Sequence, residues 1–193
     1  MGHDDPHDPH HHEHGQPGSP RPSHLRRVPD EHKARAKAFV KAWVITCSDS
    51  RTEASDEGGR LIRSRLADGG HVVLGGAIVP DEPARILAEL DRAVAAGAQA
   101  VLVTGGTGLS SRDSTFEALS ARLVRPLPGF GELFRALSFQ EIGSAAMLSR
   151  AVAGVTAEGA VVFAMPGSPA AVRLACEKLI LPELAHLTWE LSR

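Results

Sequence analysis

From Phe39 onward, short apolar runs alternate with segments whose apolar residues recur every three or four positions. Ala42-Trp-Val-Ile-Thr-Cys47 is almost continuously apolar and stops at Ser48-Asp49-Ser50, the pattern of a buried parallel strand followed by its loop. Gly58, Leu61, Ile62 and Leu66 then keep helical spacing up to Gly69-Gly70, with Ser55 or Asp56 standing where an N-cap belongs. His71 to Val79 reads as a second strand interrupted by Gly75-Gly76. Pro80-Asp-Glu-Pro83 opens a second helix, with Asp81 as its expected cap and Pro83 in its first turn. Ile86, Leu87, Leu90 and Val94 form the buried stripe of that helix, and Gly97 closes it. Val101 to Thr104 is a third apolar strand, running straight into Gly105-Gly-Thr-Gly108.

The second half is less regular. Ser114-x-x-Glu117 has the spacing of a capping box, and Phe116, Leu119 and Leu123 carry a third helix beyond it. Pro128-Gly-Phe-Gly131 reads as a loop before a short helix over Glu132 to Leu137, and Ile142-Gly-Ser144 starts another that ends near Gly154. Ala160 to Ala164 is a strand, and Met165-Pro-Gly-Ser168-Pro169 leads to the last helix, with Ser168 as N-cap and Pro169 at its first position. Strand and helix therefore alternate, which predicts an α/β layered fold with a mainly parallel sheet. In such folds ligands lie beyond the carboxyl ends of the strands. Asp49, Asp81 and the glycine loop with Asp113 all belong to that rim.

Composition narrows the classes of function. Of the 193 residues, those from 38 to 193 form one domain of ordinary size, while 1–37 form an extension rich in histidine and proline. Acidic and basic side chains balance in the extension, so the net charge of −2 belongs to the domain. That gives no cationic footprint for nucleic acid or an anionic membrane. No apolar run approaches the ~20 residues of a membrane span, and the polar N-terminus does not read as a signal peptide. Cys47 and Cys176 supply no disulfide framework, so a reducing, cytoplasmic setting is expected. In the extension, His3, His7, His10, His11, His12 and His14 alternate with Asp4, Asp5, Asp8 and Glu13. This is either a weak metal-binding arm or a solvated, disordered segment. Glu31 to Ala38 reads as a helical lead-in.

The candidate chemistry centres on the glycine loop. Gly105, Gly106 and Gly108 lack the Cβ that keeps a bound group off the backbone, and N–H groups at such a turn suit an anion, usually a phosphate. The loop matches neither the P-loop, which needs a following Lys, nor the spacing of dinucleotide-binding turns; a plain strand-to-helix turn is the alternative. After Lys41 only Lys178 remains, so bound phosphates would be balanced by backbone N–H groups, by Arg112 or Arg135, or by a metal. Asp81 and Asp113 are candidate Mg²⁺ ligands, since a hard cation takes carboxylate and phosphate oxygens, with helix capping as the other role open to them. Cys47, His71 and His186 read as structural.

Four motifs together carry a resemblance. Thr104-Gly-Gly-Thr-Gly108 with Arg112-Asp113, then Pro128-Gly-Phe-Gly-Glu132, then Ser149-Arg150-Ala-Val, then Met165-Pro-Gly-Ser168, is similar to the MoaB/Mog family of molybdenum cofactor biosynthesis proteins and gephyrin-type domains over about residues 40–187. Phe134-Arg135-x-Leu-Ser138-Phe-x-Glu-Ile-Gly143 resembles the MoaB branch more than the Mog branch. The resemblance implies a three-layer α/β/α fold, assembled as a homotrimer or a hexamer. It implies use of Mg-ATP to convert molybdopterin into adenylyl-molybdopterin, releasing pyrophosphate, in company with other proteins of the pathway. The family's two important aspartates match Asp81 and Asp113, as catalytic and metal-holding residues. Pterin phosphate and nucleotide are expected along Thr104, Gly105, Gly106, Thr107, Gly108 and Arg112, along Ser48, Asp49 and Ser50, and along Pro166, Gly167 and Ser168. A non-catalytic molybdopterin-binding or carrier protein with the same pocket is the competing expectation.

Overall fold

The computed structural model describes Met1, residues 39–110 and residues 113–193. Apart from Met1, the extension over 1–37 lies outside the described residues, as do the lead-in over Glu31 to Ala38 and Arg112. The strands are β1 (Lys41–Cys47), β2 (Val72–Val79), β3 (Ala100–Thr104), β4 (Leu123–Pro126), β5 (Val152–Thr156) and β6 (Val161–Met165). They form one six-stranded sheet in the order β2-β1-β3-β6-β5-β4, in which β2, β1, β3 and β6 pair in parallel. β5 runs antiparallel to both of its neighbours.

The helices are α1 (Glu57–Asp68), α2 (Pro83–Ala95), α3 (Thr115–Ser120), α4 (Pro128–Ile142), α5 (Pro169–Ala175) and α6 (Leu181–Leu191). A 3-10 turn over Gly143–Leu148 follows α4, and a π turn over Cys176–Ile180 joins α5 to α6. Alternate residues of the central strands feed two cores. Ala42, Val44, Leu102 and Phe163 pack with Ile62, Leu66, Phe134 and Leu184 on one face. Trp43, Ile45, Val101, Val103 and Val162 pack with Ile86, Leu90 and Leu119 on the other. Burial on both faces is why these strands are apolar throughout rather than alternating. The three-layer α/β/α architecture with a mostly parallel sheet stands as expected. Among the described residues no helix is long and apolar enough to cross a membrane.

Local signals held where the side chain found its backbone partner. Asp56 caps α1, its Oδ1 accepting from Gly59 N at 2.9 Å and its Oδ2 from the buried Thr46 hydroxyl at 2.9 Å. Ser168 caps α5 by accepting from Ala171 N at 3.2 Å, ahead of Pro169. Elsewhere a competing partner or pairing won. Glu82, in extended conformation, is the N-cap position of α2, and Asp81 turns away to the segment before α3. The capping box does not form, because the Ser114 hydroxyl is directed to Asp81 and Glu117 pairs with Arg150. Leu123 leaves the third helix to begin β4, where it pairs with Thr156. Pro128 to Gly131 is the first turn of α4 rather than a loop, with Pro128 at its start. The helix expected up to Gly154 stops at Leu148, and Val152 onward pairs with β6. β2 passes through Gly75 and Gly76 without a break, its register shifting between Ala42 and Trp43 of β1.

Candidate functional site

β3 and β6 pair from Ala100 and Val161 to Thr104 and Met165, so the two turns that follow them emerge side by side. The join is close: Gly105 N donates to Met165 O at 3.0 Å, and the Thr104 hydroxyl donates to Pro166 O at 3.2 Å. Gly105 and Gly106 have φ of 96° and 60°, a region glycine enters without strain. A Cβ at Gly105 would collide with Cys47 O, and one at Gly106 with Asp81 Oδ2 and Thr115 Oγ1. At these two positions the bare backbone makes room for neighbouring protein atoms rather than for a ligand. The N–H groups of Gly106, Thr107 and Gly108 take no partner among the described residues, which leaves them as donors for an anion.

A cavity of about 430 Å³ opens beside this junction. Its polar edge is Gly105 to Gly108, Asp113 and Pro166, Gly167 and Ser168. Its opposite wall comes from α4 and the turn after it, where Phe134, Ile142, Ala145, Ala146 and Leu148 face in, with Ser138, Glu141 and Ser149 among them. None of this wall was named as site by residue-type reasoning. The signal was the run from Phe134 to Gly143, quoted only as a mark of the family branch.

The two aspartates sit differently. Asp113 lines the cavity, and its Oδ2 accepts from Ser110 N at 2.9 Å. Asp81 stands behind the glycine loop, its Oδ1 accepting from Ser114 N at 3.0 Å, from Ser114 Oγ at 2.9 Å and from Thr115 Oγ1 at 3.4 Å. The far loop touches Asp81 through one bond, from Asp81 N to Asp49 Oδ1 at 3.3 Å. The Ser48 hydroxyl accepts from Ser50 N and Arg51 N, fixing its own turn. Ser48, Thr104, Gly105, Gly167 and Ser168 line a neighbouring depression of about 340 Å³, together with Arg51. Ser50 is exposed and lines neither cavity. The structure thus joins the glycine loop, Asp113 and the Pro-Gly-Ser turn in one cavity, with Ser48 and Asp49 on its flank.

Arg150 was missed as well. Its Nε donates to Thr107 O at 3.3 Å and its Nη2 to Asp113 O at 2.9 Å, while Nη1 pairs with Glu117. Its guanidinium lies 5.3 Å from the Phe116 ring centre, a cation–π arrangement. Arg135 instead donates to Ser149 O at 3.5 Å and does not line the cavity. Cys47 is buried beside the rim, and burial pushes its thiol up to about 12, far from a nucleophile's range. His71 accepts from Val40 N at 3.2 Å, and burial lowers its basicity, consistent with a structural role.

The chain matches the family described as probable molybdopterin binding domain over residues 43–186. It is 48% identical over 169 residues to molybdenum cofactor biosynthesis protein B of Bacillus subtilis, covering 84% of this chain and 96% of that protein. A crystal structure of a molybdenum cofactor biosynthesis protein B superposes with a TM-score of 0.74 at 49% identity, over 81% of this chain and 98% of that one. The tungsten cofactor synthesizing protein MoaB from Pyrococcus furiosus gives a TM-score of 0.74 at 36% identity, over 80% and 98%. A Mog protein from Mycobacterium ulcerans matches at 29% identity with a TM-score of 0.72, over 80% and 98%. On fold, motif order and length of match, the chain belongs to the MoaB/Mog family of molybdenum cofactor biosynthesis proteins.

Proposed function

We propose that this chain binds molybdopterin in the 430 Å³ cavity and, with Mg-ATP, converts it into adenylyl-molybdopterin during molybdenum cofactor biosynthesis. One observation carries the reading: a single cavity sets an apolar wall opposite a glycine-loop edge whose N–H groups are unspent. The wall of Phe134, Ile142, Ala145 and Leu148 suits a flat ring system, and the N–H groups of Gly106 to Gly108 suit its terminal phosphate. The match to a molybdopterin-binding domain supports the ligand class.

The acidic pair fits Mg²⁺ shared with a nucleotide. Asp81 Oδ1 and Asp113 Oδ2 are engaged within the loop, which leaves Asp81 Oδ2 and Asp113 Oδ1 as hard donors. Among the described residues no group of three or more side chains forms a metal cage, so the remaining ligands would be substrate phosphates and water, the usual pattern for Mg²⁺. When bound, Mg²⁺ supplies charge neutralisation between phosphate groups that otherwise repel. In the transfer, the terminal phosphate oxygen of molybdopterin bonds to the α-phosphorus of ATP. The bond from that phosphorus to the β-phosphate oxygen breaks, and pyrophosphate leaves with the electron pair. The nucleophile is already an anion at neutral pH, so the residues' task is to hold and orient rather than to abstract a proton. The Gly106 to Gly108 N–H groups fix the phosphate, and the apolar wall keeps water from the reacting ends.

A carrier without turnover is favoured by one fact: Asp81 stands outside the cavity with Oδ1 committed to Ser114 and Thr115. Incubating the chain with molybdopterin and Mg-ATP separates the two readings. Adenylylated pterin and pyrophosphate in equal amounts are expected; tight pterin binding with neither product would select the carrier.

A further inference from the structure

The segment from Thr107 to Asp113 leaves β3, carries the unspent N–H groups and ends on the aspartate lining the cavity. Among its described residues, Asp113 N donates to Ser110 O at 2.9 Å and Ser110 N returns a bond to Asp113 Oδ2. Both of its ends, however, rest on one side chain, since the Arg150 guanidinium holds Thr107 O and Asp113 O together. Arginine suits this task because its donors form a rigid planar fork, which a lysine ammonium does not reproduce. Stacking on Phe116 and pairing with Glu117 fix the fork in turn.

The reach of Arg150 extends to the second carboxylate. Asp113 C=O belongs to the same peptide unit as Ser114 N–H, and that N–H donates to Asp81 Oδ1 at 3.0 Å. A cationic donor on the carbonyl polarises the peptide and strengthens its N–H as a donor. Arg150 itself is reached from the opposite wall, because Ser149, its neighbour, lines the cavity.

We propose that Arg150 is the positioning residue of this site, setting the glycine loop and both Asp81 and Asp113 through one guanidinium. The proposal rests on the acidic pair holding a divalent cation with the nucleotide. Removing the fork loosens the loop and weakens that cation's binding while leaving the apolar wall intact. The test compares the full chain with Arg150→Ala and Arg150→Lys in four measurements: melting temperature, amide exchange, Mn²⁺ binding in the presence of ATP, and pterin binding. Exchange at Ser110, Asp113 and Ser114 should rise roughly tenfold in both variants, with α2 amides unchanged. Mn²⁺ affinity should fall roughly 10-fold or more, the usual cost of removing a group that orients metal ligands, while pterin affinity, held in part by the apolar wall, falls by a smaller factor. Low-millimolar guanidinium should restore the loop's protection in Arg150→Ala.

Unchanged exchange at Asp113 and Ser114 in a folded variant overturns the proposal. So does a fall in Mn²⁺ affinity that tracks melting temperature alone and is not rescued by guanidinium. A parent chain that binds pterin yet makes no product sinks the adenylylation reading instead, and the exchange comparison, which needs no metal, still decides the role of Arg150.

Discussion

Replacing Gly106 by alanine tests how the loop is held. The residue sits at φ 60°, where an L side chain costs about 1–2 kcal/mol. Its new methyl would collide with Asp81 Oδ2 and Thr115 Oγ1, so the carboxylate must move. Moving it disturbs the bonds that Asp81 Oδ1 accepts from Ser114 N at 3.0 Å and Ser114 Oγ at 2.9 Å. Hydrogen bonds to a charged group contribute roughly 1.5–3 kcal/mol each. Losing one of them on top of the strain gives a destabilisation of about 2.5–5 kcal/mol, or roughly 5–20 °C in melting temperature for a chain of this size. Gly129 is the control: it lies in the first turn of α4 and a Cβ there meets nothing within 4 Å. Gly129→Ala should match the parent or gain about 0.5–1 kcal/mol. Thermal melts followed by circular dichroism, with urea titration alongside, measure both. If Gly106→Ala melts within about 1 °C of Gly129→Ala, the contact between Gly106 and Asp81 does not hold the turn, and the reasoning fails.

Two further outcomes are expected. Asp113→Ala should abolish adenylylation while leaving pterin affinity within about twofold, because the side chain's one loop bond, from Ser110 N, contributes only about 1–3 kcal/mol; turnover at the parent rate would remove Asp113 from the mechanism. The second concerns alkaline pH. Burial pushes both Cys47 and Cys176 up to about 12, while an unfolded thiol titrates near ~8.5. Above that lower value the unfolded chain binds fewer protons than the folded one, so stability is full below pH ~8.5 and falls as pH rises, by about 2 kcal/mol per thiol at pH 10. The chain has no tyrosine to blur that limb. A Cys47→Ala/Cys176→Ala variant should lose most of the slope in urea midpoints between pH 8.5 and 10, and a slope unchanged in that variant would refute the assignment.

The sequence made the first half of the fold legible because each element there carries its own punctuation. β1 stops at Ser48, α1 starts on Asp56, and α2 is closed by Gly97 at φ 80°. What stayed hidden was decided by partners distant in the chain. Leu123 fits the spacing of a helix, yet pairing with Thr156 draws it into β4. Val152 to Thr156 is too short to announce itself, and becomes a strand because β6 lies beside it. Asp81 has the right place for a cap, but Ser114 and Thr115, more than thirty residues on, compete for its carboxylate. Pro128 and the Gly75-Gly76 pair were misread local signals, since proline opens helices as readily as it marks loops and β2 carries both glycines within the strand. The site divides in the same way. The glycine loop, Asp113 and Ser168 sit in compact turns that residue types reveal. Phe134, Ile142 and Leu148 line the cavity only because α4 is laid across it, a fact of packing with no local mark.

The reversal of β5 has a wider consequence. A parallel strand in its place would begin at the end of the sheet remote from the cavity. Run backward, its first residue Val152 lies opposite Ala164, near the end of β6, so the chain enters β5 at the cavity's edge. The segment 143–151, which holds part of the apolar wall and Arg150, is therefore a second port into the site, separate in sequence from the glycine loop. Substitutions at Ala145, Ala146 or Leu148 reshape the apolar wall for a different ring system, while Arg150 at the far end of the segment keeps its hold on the glycine loop. The apolar wall and the glycine loop of the cavity are in this way placed on separate stretches of chain, joined through Arg150.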